Sequence, residues 1–149
     1  MKGLLRFLHI GSLTPGQSRE EDLIARFGRP ADEHVLPDGT RRLDFPQQPE
    51  GTENWRACLG PDGVLRSLDQ LLDEANFARI LPGLTRSEVR ELLGRPAEEA
   101  HYSRLEEDVM SWRYGEFGNR RMFFNAHFDG SGRLKHTSRT PDPSQTGDQ

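Results

Sequence analysis

Two stretches of the chain space their apolar residues three and four apart, as in an amphipathic helix, and each runs into the same short motif. The first stretch, residues 23–27, is followed by GRPADE (28–33), and the second, residues 89–93, by GRPAEE (94–99). Glycine at a helix end accepts a left-handed backbone, and a following proline prevents the helix from continuing. The repeated motif therefore predicts a helix stop in each half of the chain.

Both helices have start signals. A Pro-Gly pair precedes each one, and Ser18 with Glu21 and Thr85 with Glu88 match a capping box, in which a hydroxyl and a carboxylate bond the first free backbone amides. The first copy has one residue more between the predicted cap and the glycine. A further amphipathic helix is predicted before each start, over residues 4–10 and 73–80.

Alternating strand patterns follow each stop. We expect Leu43 and Phe45 to correspond to Trp112 and Tyr114, and residues 54–65 to match 123–134, with a turn at Asp-Gly in each. The aromatic residues of these strands, Trp55 and Phe124 included, are predicted to face the core, because period-two aromatics are ordinary in sheets. A weaker strand is expected directly after each GRP motif.

The predicted fold class is α+β. We expect two tandem repeats, residues 1–72 and 73–143, followed by a flexible tail at 144–149. Each repeat is predicted to pack two short helices on one face of a three- to four-stranded antiparallel sheet.

Composition and residue spacing argue against several classes of function. The 149 residues hold 20 basic and 24 acidic side chains, a net charge of −4, so no general positive field favours nucleic acid. Cys58 is the single cysteine, which excludes an internal disulfide and a multi-cysteine metal site. The histidines lack metal-ligand spacing, and hairpin symmetry places His127 nearer Leu134 than His136. We expect no metal, no cofactor and no catalysis. The acidic side chains of EED at 106–108 are predicted to be exposed to solvent.

Candidate binding residues come from the last hairpins. Phe123 is predicted on the face opposite Phe124, together with Asn125 and His127. Basic side chains accumulate in the same region, where they form either a solvated sheet face or a dock for an acidic protein surface or anionic lipid. The residues predicted to meet a partner are Arg113, Phe123, His127 and Lys135.

The motifs PGLTRSEVRELLGRP, SWRY, FDGSGRL and TPDP are similar to those of the small outer-membrane assembly lipoprotein family BamE, also called SmpA/OmlA. The resemblance covers residues 77–143 well and residues 10–72 more loosely. Tandem architecture of this kind is also similar to that of the β-lactamase-inhibitor proteins, which implies a concave sheet face that holds a partner. The positions matching the BamE motif are Gly83, Thr85, Val89, Leu93, Gly94, Pro96, Trp112, Tyr114, Phe128, Gly132 and Leu134.

The resemblance implies a non-catalytic protein-binding or assembly module of the bacterial cell envelope. Its expected partner is a protein, such as envelope assembly machinery, with an additional contact to anionic lipid and a periplasmic, outer-membrane-associated location. BamE proteins carry a signal peptide and a lipidated cysteine. Neither is predicted in this chain, which leaves a cytoplasmic location open. The alternatives are an inhibitor that occludes an enzyme with its sheet face, and an enzyme with a site between the repeats.

Overall fold

The computed structural model describes residues 13–146 and divides into two compact units. The first unit contains residues 13–45 and 55–69, and the second contains residues 46–54 and 70–146. The predicted helix over residues 4–10 and the end of the predicted tail lie outside the described residues. The predicted boundaries at residues 72 and 143 stay predictions.

The first unit consists of one described helix and a four-stranded sheet. The helix α1 spans Glu20–Phe27, and the strands β1 (Asp32–Val35), β2 (Arg41–Pro46), β3 (Asn54–Leu59) and β4 (Leu65–Gln70) lie in sequence order. The terminal residues Pro46, Asn54 and Gln70 of β2, β3 and β4 belong to the second unit. Its core combines leucines from the helix side and the sheet with the aromatic residues of β2 and β3. The buried members are Leu13, Leu23, Leu43, Phe45, Trp55, Ala57, Leu59, Leu65 and Leu68.

The second unit repeats this order with longer strands. Helices α2 (Glu74–Phe77) and α3 (Arg86–Leu93) precede β5 (Glu98–Tyr102), β6 (Glu107–Glu116), β7 (Arg120–Phe128) and β8 (Leu134–Pro141), again in sequence order. A single 3₁₀ turn at Ser103–Leu105 joins β5 to β6. A short helix, α4 (Pro143–Thr146), occupies the start of the predicted tail. The prediction of an α+β fold of two repeated units is confirmed.

The predicted core aromatics lie where the pattern placed them. Trp112, Tyr114 and Phe124 are buried on the helix side of the second sheet, and Phe77 of α2 stacks on Phe124 with ring centroids 4.1 Å apart. Trp55 occupies the equivalent place in the first unit, where Phe27 of α1 stacks on it at 5.7 Å. The helices therefore bury one face of each sheet.

The capping box predicted for Thr85 and Glu88 is confirmed, since the Thr85 Oγ1 accepts from the Glu88 amide at 3.1 Å and the Glu88 carboxylate accepts from the Thr85 amide at 2.9 Å. The box predicted for Ser18 is wrong. Helix α1 begins one residue later, and Asp22 accepts from the Arg19 amide at 2.8 Å. The extra residue of the first copy therefore lies before the helix, and both helices are eight residues long.

The predicted match between β2 and β6, the second strand of each sheet, is also wrong, by two residues. The Ala31 amide bonds the carbonyl of Asp44, and the equivalent Ala97 amide bonds that of Ser111. Phe45 therefore corresponds to Trp112, and Leu43 to Met110. A shift by two keeps every side chain on its predicted face, which is why the alternation could not reveal it.

Candidate functional site

The face of the second sheet that points away from the helices forms an open groove of about 490 Å³. Adjacent strands contribute side chains in cross-strand rows, because residues paired in a ladder share a face. One row joins Ser111, Asn125 and Ser138, and the next joins Val109, His127 and His136. The groove is thus built on β5 to β8, with residues from the 3₁₀ turn and α4 along its margin.

The apolar part of the groove has a buried floor and an exposed rim. Val109 and Phe123 are buried in the floor, at 9% and 6% exposure. Tyr102 and Leu105 line the rim and are 51% and 65% exposed. The prediction that Phe123 faces away from Phe124 is confirmed. Its ring is covered by the Arg113 guanidinium, 4.8 Å from the ring centroid.

Arg113 is held beside the groove by the rest of its own unit. Its Nε donates to Asp142 Oδ2 at 2.9 Å, and an Nη donates to the carbonyl of Pro49. Gln48 bonds both backbone groups of Arg113, each at 2.9 Å. Since Asp142 is fully buried, this arginine neutralises an interior charge. Its predicted role toward a partner stays a prediction.

The polar end of the groove is centred on Glu107. Its carboxylate accepts from the Lys135 Nζ at 2.7 Å and lies 2.7 Å from the His127 Nδ1. These two hydrogen bonds, Lys135 first, lower the pKa of Glu107 from 4.5 to about 2, against the opposing effect of burial. The prediction that this acidic stretch is solvated is wrong for Glu107, which is 6% exposed.

The two histidines of this hairpin lie closer than predicted. A β-bulge between His127 and Phe128 shifts the register, so that His127 pairs with His136 while Phe128 pairs with Leu134. The two imidazole rings stack with centroids 4.2 Å apart. The expectation that His127 lies nearer Leu134 is therefore wrong, because simple hairpin symmetry does not include the extra residue.

A chain of neutral polar groups fills the floor between the two ends. The Ser111 hydroxyl donates to Asn125 Oδ1 at 2.7 Å, and the Asn125 Nδ2 donates to Ser138 Oγ at 3.2 Å and to Thr140 Oγ1 at 3.1 Å. Ser138 Oγ also lies 2.8 Å from His127 Nε2. Ser111, Ser138 and Thr140 are not among the predicted site residues. For Ser111 the available signal was its alternation with the core positions Met110 and Trp112. Ser138 and Thr140 have the same parity as the core residue Leu134, so the bulge alone places them on the groove face.

The basic residues of the last hairpins do not share one surface. Arg139 lies on the helix side, where it donates to Glu74 at 2.6 and 2.8 Å and to the Tyr114 hydroxyl at 3.2 Å. Arg133 donates to the carbonyl of Gly83 at 3.1 Å, and Lys135 is bound to Glu107. Positive charge is therefore distributed over both faces of the sheet and is largely paired within the unit.

Two kinds of feature are absent from residues 13–146. No group of three or more histidine, cysteine, aspartate or glutamate side chains in this range is placed to hold a metal ion. Among the helices of the same range, none has the length and apolar character needed to cross a membrane.

Comparisons with known proteins yield structural similarities alone. No family model and no curated protein matches the sequence. The chain is similar to a DUF4309 family protein, YjgB, from Bacillus subtilis, with 13% identity and a TM-score of 0.35 over 89% of this chain and 84% of that one. It is also similar to a candidate β-lactamase inhibitor protein from Streptococcus mutans, with 16% identity and a TM-score of 0.33 over 92% and 94%.

A third similar structure is an extracellular protein with an SCP domain from Bacillus anthracis, at 10% identity and a TM-score of 0.33. The match covers 90% of this chain and 47% of that one, so the chain spans about half of that protein. None of the three is described as a BamE protein. The comparisons therefore give no support to BamE family membership.

Proposed function

We propose that this protein is a binding module that holds an extended segment of a protein partner in the groove of its second sheet. The observation that carries the proposal is the pairing of an exposed apolar rim, Tyr102 and Leu105, with a floor whose polar groups are already hydrogen-bonded. Covering such a floor costs little free energy, because its polar groups keep their hydrogen bonds. Burial of the apolar rim against a partner lowers the free energy of the complex.

The neighbouring edge strand supports an extended partner. Strand β5 is at the edge of its sheet, and all five of its residues are exposed. An exposed edge offers unpaired backbone amides and carbonyls to a second chain, and alternate side chains of that chain would then face the groove. Three of the predicted binding residues, Phe123, His127 and Lys135, belong to or border the groove, while Arg113 supports it from beside Phe123.

The setting we propose is the bacterial cell envelope, with envelope assembly machinery as the partner. This part of the proposal rests on the resemblance of the sequence motifs to BamE. An inhibitor that occludes an enzyme would use the same groove and rim, so the identity of the bound protein separates the two roles.

Site-specific photocrosslinking tests the groove. A benzoylphenylalanine at Leu105, introduced into the protein in its native host, is expected to give one discrete crosslinked product. The matched control is the same residue at Val35, which is 60% exposed on the edge strand of the first unit. Equal products from both positions, or none from Leu105, would contradict the proposal.

Variants give the second readout. We expect Leu105→Asp with Tyr102→Ser to remove the captured protein, and Val35→Asp to retain it. If the crosslinked partner is an enzyme and a saturating amount of this protein lowers its activity, the protein is an inhibitor. If the partner is a component of outer-membrane assembly, the protein has the assembly role.

A further inference from the structure

Three side chains at the polar end of the groove form a continuous hydrogen-bonded chain. Ser138 Oγ lies 2.8 Å from His127 Nε2, and His127 Nδ1 lies 2.7 Å from Glu107 Oε1. The residues come from β8, β7 and β6, so three adjacent strands bring together groups that are distant in sequence. A hydroxyl, an imidazole and a carboxylate in this order match the arrangement of nucleophile, base and orienting acid in acyl-transfer sites.

The surrounding bonds determine where the protons lie. Glu107 accepts from Lys135 and has its pKa held at about 2, so it is an ionised acceptor and His127 Nδ1 must carry a proton. Asn125 Nδ2 donates to Ser138 Oγ, which leaves the hydroxyl proton of Ser138 to be donated to His127 Nε2. With a proton on Nδ1, His127 directs Nε2 toward the Ser138 hydroxyl, which is the geometry needed to remove the serine proton.

An amide donor stands beside the hydroxyl. Asn125 Nδ2 lies 3.2 Å from Ser138 Oγ and 3.1 Å from Thr140 Oγ1, and its own Oδ1 is fixed by Ser111 at 2.7 Å. When Ser138 Oγ bonds a carbon atom, this N–H is free to turn to an oxygen on that carbon. A side-chain amide held in this way can stabilise an oxyanion.

The first repeat shows that the fold itself does not require these groups. The match of residues 54–65 with 123–134 places Cys58 at the position of His127 and Arg56 at that of Asn125. Arg56 forms an ion pair of 2.7 Å with Asp44, where the second copy has the Asn125–Ser111 hydrogen bond. The same sheet position therefore carries different chemistry in the two copies.

We propose that Ser138 is the nucleophile of an acyl-transfer site that cleaves esters with small apolar acyl groups. His127 is its general base, Glu107 is a positioning residue for His127, and Asn125 stabilises the oxyanion. The groove floor of Val109 and Phe123 receives the acyl chain. This inference does not depend on the proposed protein partner.

The reaction balances with water as the second substrate. Ser138 Oγ bonds the ester carbonyl carbon while its proton passes to His127 Nε2. The tetrahedral intermediate then collapses, the carbon–oxygen bond to the alcohol breaks, and the alcohol leaves with the proton from Nε2. Water next gives a proton to Nε2 as its oxygen attacks the acyl carbon. The acyl–Ser138 bond breaks, Oγ regains the proton, and the carboxylic acid leaves.

Covalent labelling of the full chain tests the nucleophile without any substitution. We expect a fluorophosphonate probe to add one phosphonyl group, located at Ser138 by peptide mass spectrometry. Absence of an adduct at Ser138 would overturn the proposal. Labelling is also expected to block hydrolysis of p-nitrophenyl butyrate, which separates the reaction at this serine from hydrolysis by surface groups.

Variants assign the roles. Ser138→Ala is expected to reduce p-nitrophenyl butyrate hydrolysis to the background rate, and His127→Gln to lower kcat by about 10²–10⁴-fold. Glu107→Gln is expected to lower kcat with KM unchanged, which a purely structural loss would not do. Ser67→Ala, the same change in the first unit, is the control. Equal rates of hydrolysis in Ser138→Ala and the parent protein would show that the hydrogen bonds joining Ser138, His127 and Glu107 are only structural.

The two proposals fail independently. The crosslink formed at Leu105 and the hydrolysis of p-nitrophenyl butyrate are each measured on the protein with Ser138 intact. A crosslink without any hydrolysis or adduct in the parent protein overturns the acyl-transfer site alone, whereas hydrolysis with an adduct at Ser138 but no crosslink overturns the protein-binding proposal alone.

Discussion

Replacing Asn54 by alanine is expected to destabilise the end of helix α3. Asn54 belongs to the second unit and is 2% exposed. Its Nδ2 donates to the carbonyl of Leu93 at 2.8 Å and to that of Arg95 at 3.0 Å, on either side of the helix-stopping Gly94. Trp112 Nε1 binds the carbonyl of Gly94 itself at 3.0 Å. Side chains thus satisfy the carbonyls of this helix stop in place of water.

The expected loss of folding free energy follows from the two hydrogen bonds that Asn54 donates. Removing a donor from a buried carbonyl costs about 1–3 kcal/mol, and the Arg95 carbonyl is nearer to solvent, so the total is about 2–4 kcal/mol. With an m-value of about 2 kcal/mol/M for a chain of this size, the urea midpoint falls by about 1–2 M. Circular dichroism at 222 nm across a urea series measures this shift.

Two further variants isolate the cause. Asn54→Asp keeps the shape of the side chain but places a carboxylate oxygen against the two carbonyls, so it should be at least as destabilising as alanine. Gln17→Ala removes an exposed amide and should change stability by about 0.5 kcal/mol or less. A midpoint shift for Asn54→Ala no larger than that for Gln17→Ala would show that these hydrogen bonds do not stabilise the end of the helix.

Two other predictions concern the same unit and the repeat. The pKa of Glu107 is about 2 in the folded protein against an ordinary 4.5, so its contribution to stability is complete above pH 4.5 and is lost as the pH falls toward 2. Urea unfolding from pH 7 to pH 2 should therefore show the parent protein converging on Glu107→Gln in acid; a gap that stays constant with pH would contradict this. Gly28 and Gly94 have φ of 83° and 82°, a conformation that costs an alanine about 1–3 kcal/mol. A Cβ at Gly28 meets open space, whereas one at Gly94 lies 2.9 Å from Asn54 Nδ2, so Gly94→Ala should be the more destabilising in thermal unfolding. Equal losses would contradict the close approach.

The elements that sequence analysis placed well depend on local chemistry. The glycines at 28 and 94 end their helices because no other residue accepts that backbone conformation without strain. The turns after β3 and β7 close at Gly63 and Gly132, as the Asp-Gly patterns predicted. Each of these signals is complete within a few consecutive residues.

The errors share a different cause. The cap moved from Ser18 to Arg19, the second strands shifted by two residues, and a bulge brought His136 opposite His127. The first two changes leave the apolar alternation intact, so a pattern of buried and exposed positions cannot distinguish the alternatives. The bulge inverts the alternation of β8 after Leu134, because one extra residue moves the following side chains to the opposite face. Packing and ladder hydrogen bonds between distant segments select one of the alternatives.

Short-range signals are enough to predict a duplicated α+β fold, because the helix stops, the turns and the alternation of core positions each occur twice, within a few consecutive residues. Which side chains meet on the open face depends instead on how the strands pair in the assembled sheet. Glu107, His127 and Ser138 come from three strands, and their contacts depend on strand register and on a single inserted residue. Chemistry that depends on such long-range register has no local signature, which is why the candidate site emerged only when the sheet was assembled.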